Sequence, residues 1–448
     1  MAICGRRNSS PPRMFVFLFL LMLCVVSYYW KKNRSWSPNA NRKKLPTPFC
    51  KGRLADGTIT PLRDQHSFIV TPYFDKREGN LVRVLSIIHH QKVQELYCSF
   101  CCEKSQAIRV VKGEIDLHRD RFDFPYSTAD VLCLQPEDCH AKFISVHPSA
   151  ELESTHLPLF PIRNIHPEMP SLDFTICMST MFGNYDNVLQ FVQSMELYSL
   201  LGVQKVTIYK NSCSPLMDKV LDYYISKGIV EIIPWPIHLY LNVSSHWHYS
   251  MEKKDLGYYG QLTALNDCIY YNMYKSKYLL LIDPDEFILP RMDADWKSLM
   301  QRLEKEYPGT GVFLFENRVF RRTVFSKTPF NFLAWTTVPG INVFEHIHRE
   351  PKDIRNFNNM KMILDPTTVI QTSVHSPLKQ LGASVQVSNH IAFNFHCRIP
   401  ERINVADSDL IRDPIFWSYN KTLIPKVSDV LLEAGVLGAS DTAQNQKN

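Results

Sequence analysis

Residues 171–426 of this chain predict an α/β fold with a mostly parallel central sheet. Three observations predict it. Short β-rich runs alternate with apolar residues at helical spacing, strand after helix, four times over. Helix punctuation falls between them: Gly202 and Gly228 as stops, and Ser214-Pro215 as a start. The fourth strand-like run, Tyr278-Leu279-Leu280-Leu281-Ile282, is apolar at every position, as a strand buried on both faces requires.

The elements follow in order. Leu172–Ser179 is strand-like, and Asn184 is placed to cap a helix carrying Val188, Phe191, Val192, Met195, Tyr198 and Leu201. Gln204–Tyr209 and Ile229–Ile233 read as the next strands, the second ending at Pro234-Trp235-Pro236. A loop to about Leu256 precedes a helix from about Tyr259 to Tyr274, and then the fourth strand. Gly311–Phe315, Lys361–Leu364 and Ile391–Arg398 are later strand-like runs. Residues 427–448 read as a short helix running into a polar tail. Upstream, residues 66–165 hold β-rich runs separated by turn residues, with most of the cysteines, and read as a small disulfide-stapled subdomain.

The remainder is an anchor and its flanks. Met14–Trp30 carries no charge and ends in Tyr28, Tyr29 and Trp30, as a short transmembrane segment with an interfacial aromatic belt does. Residues 1–13 are then a cytosolic tail, 14–30 a signal anchor and 31–65 a stem, basic and without periodicity. A cleaved signal peptide is the competing reading, with Val25-x-Ser27 as its cleavage site. Basic residues flank the run on both sides, so charge leaves its orientation tied. The cysteines beyond the run are even in number, and Asn33, Asn242 and Asn420 open glycosylation triplets; both suit a lumenal body. Cys98-x-x-Cys101 has the gap of a zinc pair but lacks a matching second pair. The net charge of +6 is modest and its basic residues cluster near the N-terminus, so no nucleic-acid partner is expected.

The chemistry concentrates where the fourth strand stops: Asp283-Pro284-Asp285-Glu286. Proline ends a strand, and the carboxyl ends of strands in open α/β sheets are where ligands bind. Paired carboxylates there suit a hard divalent cation and a phosphorylated ligand. His396, or failing that His375, can complete such a site, and Arg398 can meet phosphate. Trp235 is placed either to stack on a base or sugar ring or to fill the core at a strand end. Glu316, at another strand end, is the preferred general base over Glu345, Glu350 and Asp353. The His246/His248 and His346/His348 pairs read as surface or loop residues.

These residues carry a resemblance. Phe174-Thr175-Ile176-Cys177, Tyr198–Val203, Val230–Pro236, Gln261–Cys268, Tyr278–Phe287, Val374–Pro377 and His396-Cys397-Arg398 are similar, in order, to motifs of glycosyltransferase family 92. The resemblance covers about half the chain. It implies a GT-A-like nucleotide-sugar transferase domain and a lumenal, type II Golgi membrane enzyme. It also implies a UDP-sugar donor, Mn2+ bound at Asp283 and Asp285, and galactose transfer to a glycan or glycoprotein acceptor. Cys397 departs from the aromatic residue common at that position, which leaves the phosphate role to His396 and Arg398. Two other classes compete. An Asp-x-Asp phosphatase would want Thr or Val where Phe287 stands, and its motif on the first strand. A membrane-anchored glycan-binding protein without catalysis would not need the acidic pair.

Overall fold

The computed structural model describes residues 52–104, 107–149, 157–327, 330, 332–352, 357–400 and 405–438. The expected cytosolic tail, anchor and most of the stem lie outside these residues, as do Cys50, the Asn33 triplet, Asp353 and the last ten residues. Among the described residues no helix is long and apolar enough to cross a membrane.

The central sheet has seven strands, in the order Val230–Pro234, Lys205–Lys210, Leu172–Met181, Ser276–Leu281, Lys361–Leu364, Thr310–Phe315, Ala383–Gln386. The first four run parallel. Lys361–Leu364 is antiparallel to both its neighbours, and Ala383–Gln386 returns parallel to Thr310–Phe315. The expectation of a mostly parallel sheet therefore holds only for the first four strands. Past Leu281 the Trp296–Glu306 helix leads to Thr310–Phe315, and Lys361–Leu364 arrives later in the chain to lie antiparallel between that strand and Ser276–Leu281. A second sheet of five strands is also mixed, with Glu286–Pro290 antiparallel and Asn317–Arg321 parallel to Ala392–Arg398.

The all-apolar fourth strand explains the layering. Tyr278, Leu280 and Ile282 point into a core with the Val188–Leu201 helix, while Leu279 and Leu281 point into another with the Gln261–Asn272 helix. Side chains alternate faces along a strand, so both faces are covered. Leu279 and Leu280 are fully buried, worth about 1.5–3 kcal/mol each in transfer from water. Cys177 on the central strand is bonded to Cys268 on the Gln261–Asn272 helix. The helix punctuation acts as expected at Ser214, whose side chain accepts from the Met217 N–H with Pro215 following, and at Gly202, with φ of 109°. Asn184 does not cap its helix. It sits at φ 53° in the turn before, and Asn187 holds the N-cap position.

The upstream β-rich region is a nine-stranded sheet running from Gly52–Leu54 to Thr60–Pro61 at its edges, mostly antiparallel. It thus begins inside the segment read as stem. Cys98 is bonded to Cys133 and Cys102 to Cys139, and Cys101 is itself disulfide-bonded, so the Cys98-x-x-Cys101 spacing serves disulfides, not zinc. Phe68, Leu85, Ile87 and Tyr126 of this sheet pack in one core with the Gln261–Asn272 helix. At the other end, the Asn420–Glu433 helix runs through the boundary expected at 426. Its Leu423, Val427 and Leu431 are fully buried in the main core, so that stretch is structural.

Candidate active site

The strand order reverses between Leu172–Met181 and Ser276–Leu281: Lys205–Lys210 and Val230–Pro234 lie outside the first, and Lys361–Leu364 and Thr310–Phe315 lie outside the second. The crevice outside the carboxyl ends of two such strands is the standard ligand position in open α/β sheets. Ser179, near the end of the first strand, donates across it to Asp283 Oδ1 at 3.0 Å. The Asp-Pro-Asp turn is braced from behind. The Tyr198 hydroxyl contacts the Asp283 carbonyl at 3.1 Å and the Glu286 carbonyl at 2.7 Å, and the Ser194 hydroxyl donates to the Pro284 carbonyl. The Asp283 backbone N–H donates to Glu286 Oε2 at 3.0 Å, which closes the turn on itself.

Strand register brings in the partner from late in the chain. Glu286 pairs with His396 across the antiparallel ladder, so both side chains share a face. His396 Nε2 lies 3.3 Å from Asp285 Oδ2, and its Nδ1 lies 3.1 Å from Glu286 Oε1, at ion-pair distance but off the line of a hydrogen bond. Lys361, the first residue of the strand beside Ser276–Leu281, places its ammonium 3.1 Å from Asp283 Oδ2 and 2.8 Å from Glu286 Oε2. Its side chain is only 3% exposed. The sequence reading missed this lysine; a charged residue heading the apolar run Met362-Ile363-Leu364 is the signal that could have found it.

The electrostatics follow from these contacts. Burial pushes the Asp283 carboxyl up, but the Lys361 charge and the hydrogen bonds from Lys361 and Ser179 outweigh it and hold it below the ordinary value. Burial disfavours the His396 cation, yet Glu286 and Asp285 overcome this and raise its pKa. His375 is brought to the same place but kept neutral. Burial first, then the Lys361 charge, pushes its pKa down to about 3, and its Nδ1 lies 3.1 Å from the Met360 carbonyl. Tyr185, on the loop after the central strand, is raised by burial and by Asp285 and Asp283.

The other sequence-derived candidates divide. Arg398, two residues past His396 on its strand, is close enough to oppose the charge on the His396 ring. Trp235 is 1% exposed; its indole N–H donates to the Tyr259 carbonyl at 2.8 Å and its ring meets Tyr209 edge-on. It fills the core at the strand end, so the stacking role does not match its placement. Glu316 is buried, and its oxygens meet Arg318 at 3.0 Å, Lys352 at 3.2 Å and the Asn389 carboxamide. Glu350 is bound to Arg321 at 2.9 Å. His346, expected at the surface or in a loop, lies in a loop but is 1% exposed, beside the core residue Phe344.

A cation's fit can be tested on these donors. Both Asp283 oxygens already accept from protein donors, Ser179 and Lys361. Asp285 and His396 face each other, a carboxylate oxygen and an imidazole nitrogen, with the Asp285 side chain 32% exposed. Among the described residues no group of three or more His, Cys, Asp or Glu is arranged to hold a metal by itself. Two protein ligands fit a divalent cation that takes its remaining ligands from a diphosphate, and do not fit an all-protein cage.

Comparison with known proteins adds the following. A family model described as glycosyltransferase family 92 matches residues 172–424. The Caenorhabditis elegans protein named beta-1,4-galactosyltransferase galt-1 is 25% identical over 240 residues, 51% of this chain and 52% of that protein. The Caenorhabditis elegans glycosyltransferase family 92 protein F13G3.3 is 24% identical over 247 residues, 53% of this chain and 44% of that protein. The chain therefore matches about half the length of these curated relatives. A solved cyclomaltodextrinase aligns at 11% identity and a TM-score of 0.16 over 39% of each chain, a likeness that carries no argument.

Proposed function

The chain belongs to glycosyltransferase family 92, and from that membership we propose that it moves a hexose from a UDP-sugar to a glycan or glycoprotein acceptor, with inversion. Galactose is the proposed sugar, supported by the name of a relative. The proposed setting is the Golgi lumen, with the chain anchored by residues 14–30.

The observation that carries the reading is the braced Asp-Pro-Asp turn at the strand-order reversal, with His396 delivered to it by register. Asp285 and His396 would hold a divalent cation such as manganese, whose chemistry there is charge stabilisation of the leaving diphosphate. Arg398 adds a second positive group on the same side. Asp283 orients the turn through Ser179 and Lys361, and Glu286 closes it. Glu316 is the proposed base for the acceptor hydroxyl. Its oxygens are engaged, so it must release Lys352 or Asn389 before taking a proton.

The test is a panel of UDP-sugars offered to the full chain with and without manganese, with released UDP and sugar transfer both measured. Turnover of one donor, dependent on manganese, supports the proposal. If no UDP-sugar turns over, the proposal fails and the non-catalytic glycan-binding reading stands.

A further inference from the structure

Beside the acidic turn lies a cleft that the donor chemistry does not use. It is shallow and open to solvent. One wall is the 120–128 segment of the N-terminal sheet, with Arg121 and Phe122. The other is the approach to the Gln261–Asn272 helix, with Trp247, Tyr258, Gln261 and Thr263. We infer that this cleft binds the acceptor glycan, so that the N-terminal sheet takes part in choosing the acceptor. The inference rests on the proposed transferase activity.

The walls are held in place by backbone contacts. The Tyr249 N–H donates to the Phe122 carbonyl at 3.1 Å, and the Tyr126 N–H to the Asp255 carbonyl at 3.0 Å. Gly257 comes so close that a Cβ there would lie 2.4 Å from Phe124 Cε2. Four non-glycine residues at the rims, Phe122, Asp123, Tyr258 and Tyr259, sit at φ between 40° and 63°. Such left-handed strain persists where the surroundings impose it, and it concentrates at ligand sites. Trp247 is 45% exposed and is fixed edge-on by Phe122 at 5.7 Å, leaving an aromatic surface in solvent. An aromatic face flanked by guanidinium and carboxamide groups suits a pyranose, which has an apolar C–H face and a rim of hydroxyls.

Continuity with the donor site selects the glycan as occupant. Gln261, in the cleft, donates to Ser179 Oγ at 3.0 Å, and Ser179 donates to Asp283 at 3.0 Å. Thr180 of the same strand donates to the Tyr258 carbonyl at 2.9 Å. Helices that follow parallel strands start at the edge where those strands end. The cleft at the start of the Gln261–Asn272 helix and the acidic turn thus open on the same edge.

The test uses the full chain with UDP-galactose, manganese and a fluorescently labelled pool of glycans released from cell-surface glycoproteins. Transfer to glycan and hydrolysis of donor by water are measured in the same reaction. W247A and F122A are expected to lower the transfer-to-hydrolysis ratio about tenfold, as loss of an aromatic anchor does, and W247F to restore most of it. A ratio equal to that of the unaltered chain in W247A and F122A overturns the inference. So does a ratio that W247F fails to restore, and so does competition for the cleft by deglycosylated polypeptide. Absence of any donor turnover in the unaltered chain instead overturns the transferase reading itself.

Discussion

Lys361→Met removes the one ammonium that touches both Asp283 and Glu286 among the described residues, and keeps most of the side-chain volume. The contacts are 3.1 and 2.8 Å, and the lysine is 3% exposed. At an effective dielectric of about 20 each contact is worth about 5–6 kcal/mol of gross attraction. Desolvation of the charges cancels much of this in the intact protein. Truncating Lys361 leaves Glu286, itself 1% exposed, with only the His396 ring beside it, and loss of one partner of a buried pair costs up to about 3–5 kcal/mol. Domain stabilities are about 5–15 kcal/mol, so the variant should unfold at clearly lower denaturant. Denaturation followed by tryptophan fluorescence measures it, with Glu286→Gln/Lys361→Met as the comparison. The double variant should recover a large part of the loss, because the neutral carboxamide no longer needs a counter-charge. If Lys361→Met is as stable as the unaltered chain, or the double variant is less stable than the single one, the carboxylate–ammonium cage does not hold the turn.

Three further outcomes are expected. Asp130, 1% exposed, is pushed up by burial but pulled further down, to about 2, by His118, Arg83 and Gln371. A depressed carboxylate contributes stability above its unfolded pKa and loses it as pH falls through the folded one. Acid titration between about pH 4 and 2 should therefore cost about 2 kcal/mol that Asp130→Asn does not show. Replacing Cys177 and Cys268 by alanine opens a link of sequence separation 91 and should cost about 4–5 kcal/mol on the loop-entropy account, read by denaturation under non-reducing conditions. Glu316→Gln should lower kcat about 100- to 10,000-fold with donor KM little changed; an unaltered kcat removes Glu316 as the base.

Local pattern made part of this molecule legible. Both faces of Tyr278–Ile282 had to be buried because no position in it is polar, and that placed the acidic turn at the end of a central strand. The later sheets were not legible. Whether Lys361–Leu364 runs parallel or antiparallel depends on which connection returns it, and a lysine followed by three apolar residues carries no direction. His396 could be named as a partner from its strand-end position, but its pairing with Glu286 is a register between strands far apart in sequence. Trp235 between two prolines fitted a core or a stacking role equally until burial decided it. The cleft at Trp247 depends on two loops meeting, Phe122 with Tyr249 and Tyr126 with Asp255, and no periodicity encodes such a meeting.

The central claim is that Asp285 and His396 take a divalent cation together with a nucleoside diphosphate, since the chain offers two facing donors and no larger cage among its described residues. Titration of Mn2+ followed by electron paramagnetic resonance, with and without UDP, tests it most directly. The account predicts weak binding to the chain alone, tight binding of one ion when UDP is present, and loss of that tight site in Asp285→Asn. Equal binding without UDP, or an unchanged UDP-dependent site in Asp285→Asn, would contradict it.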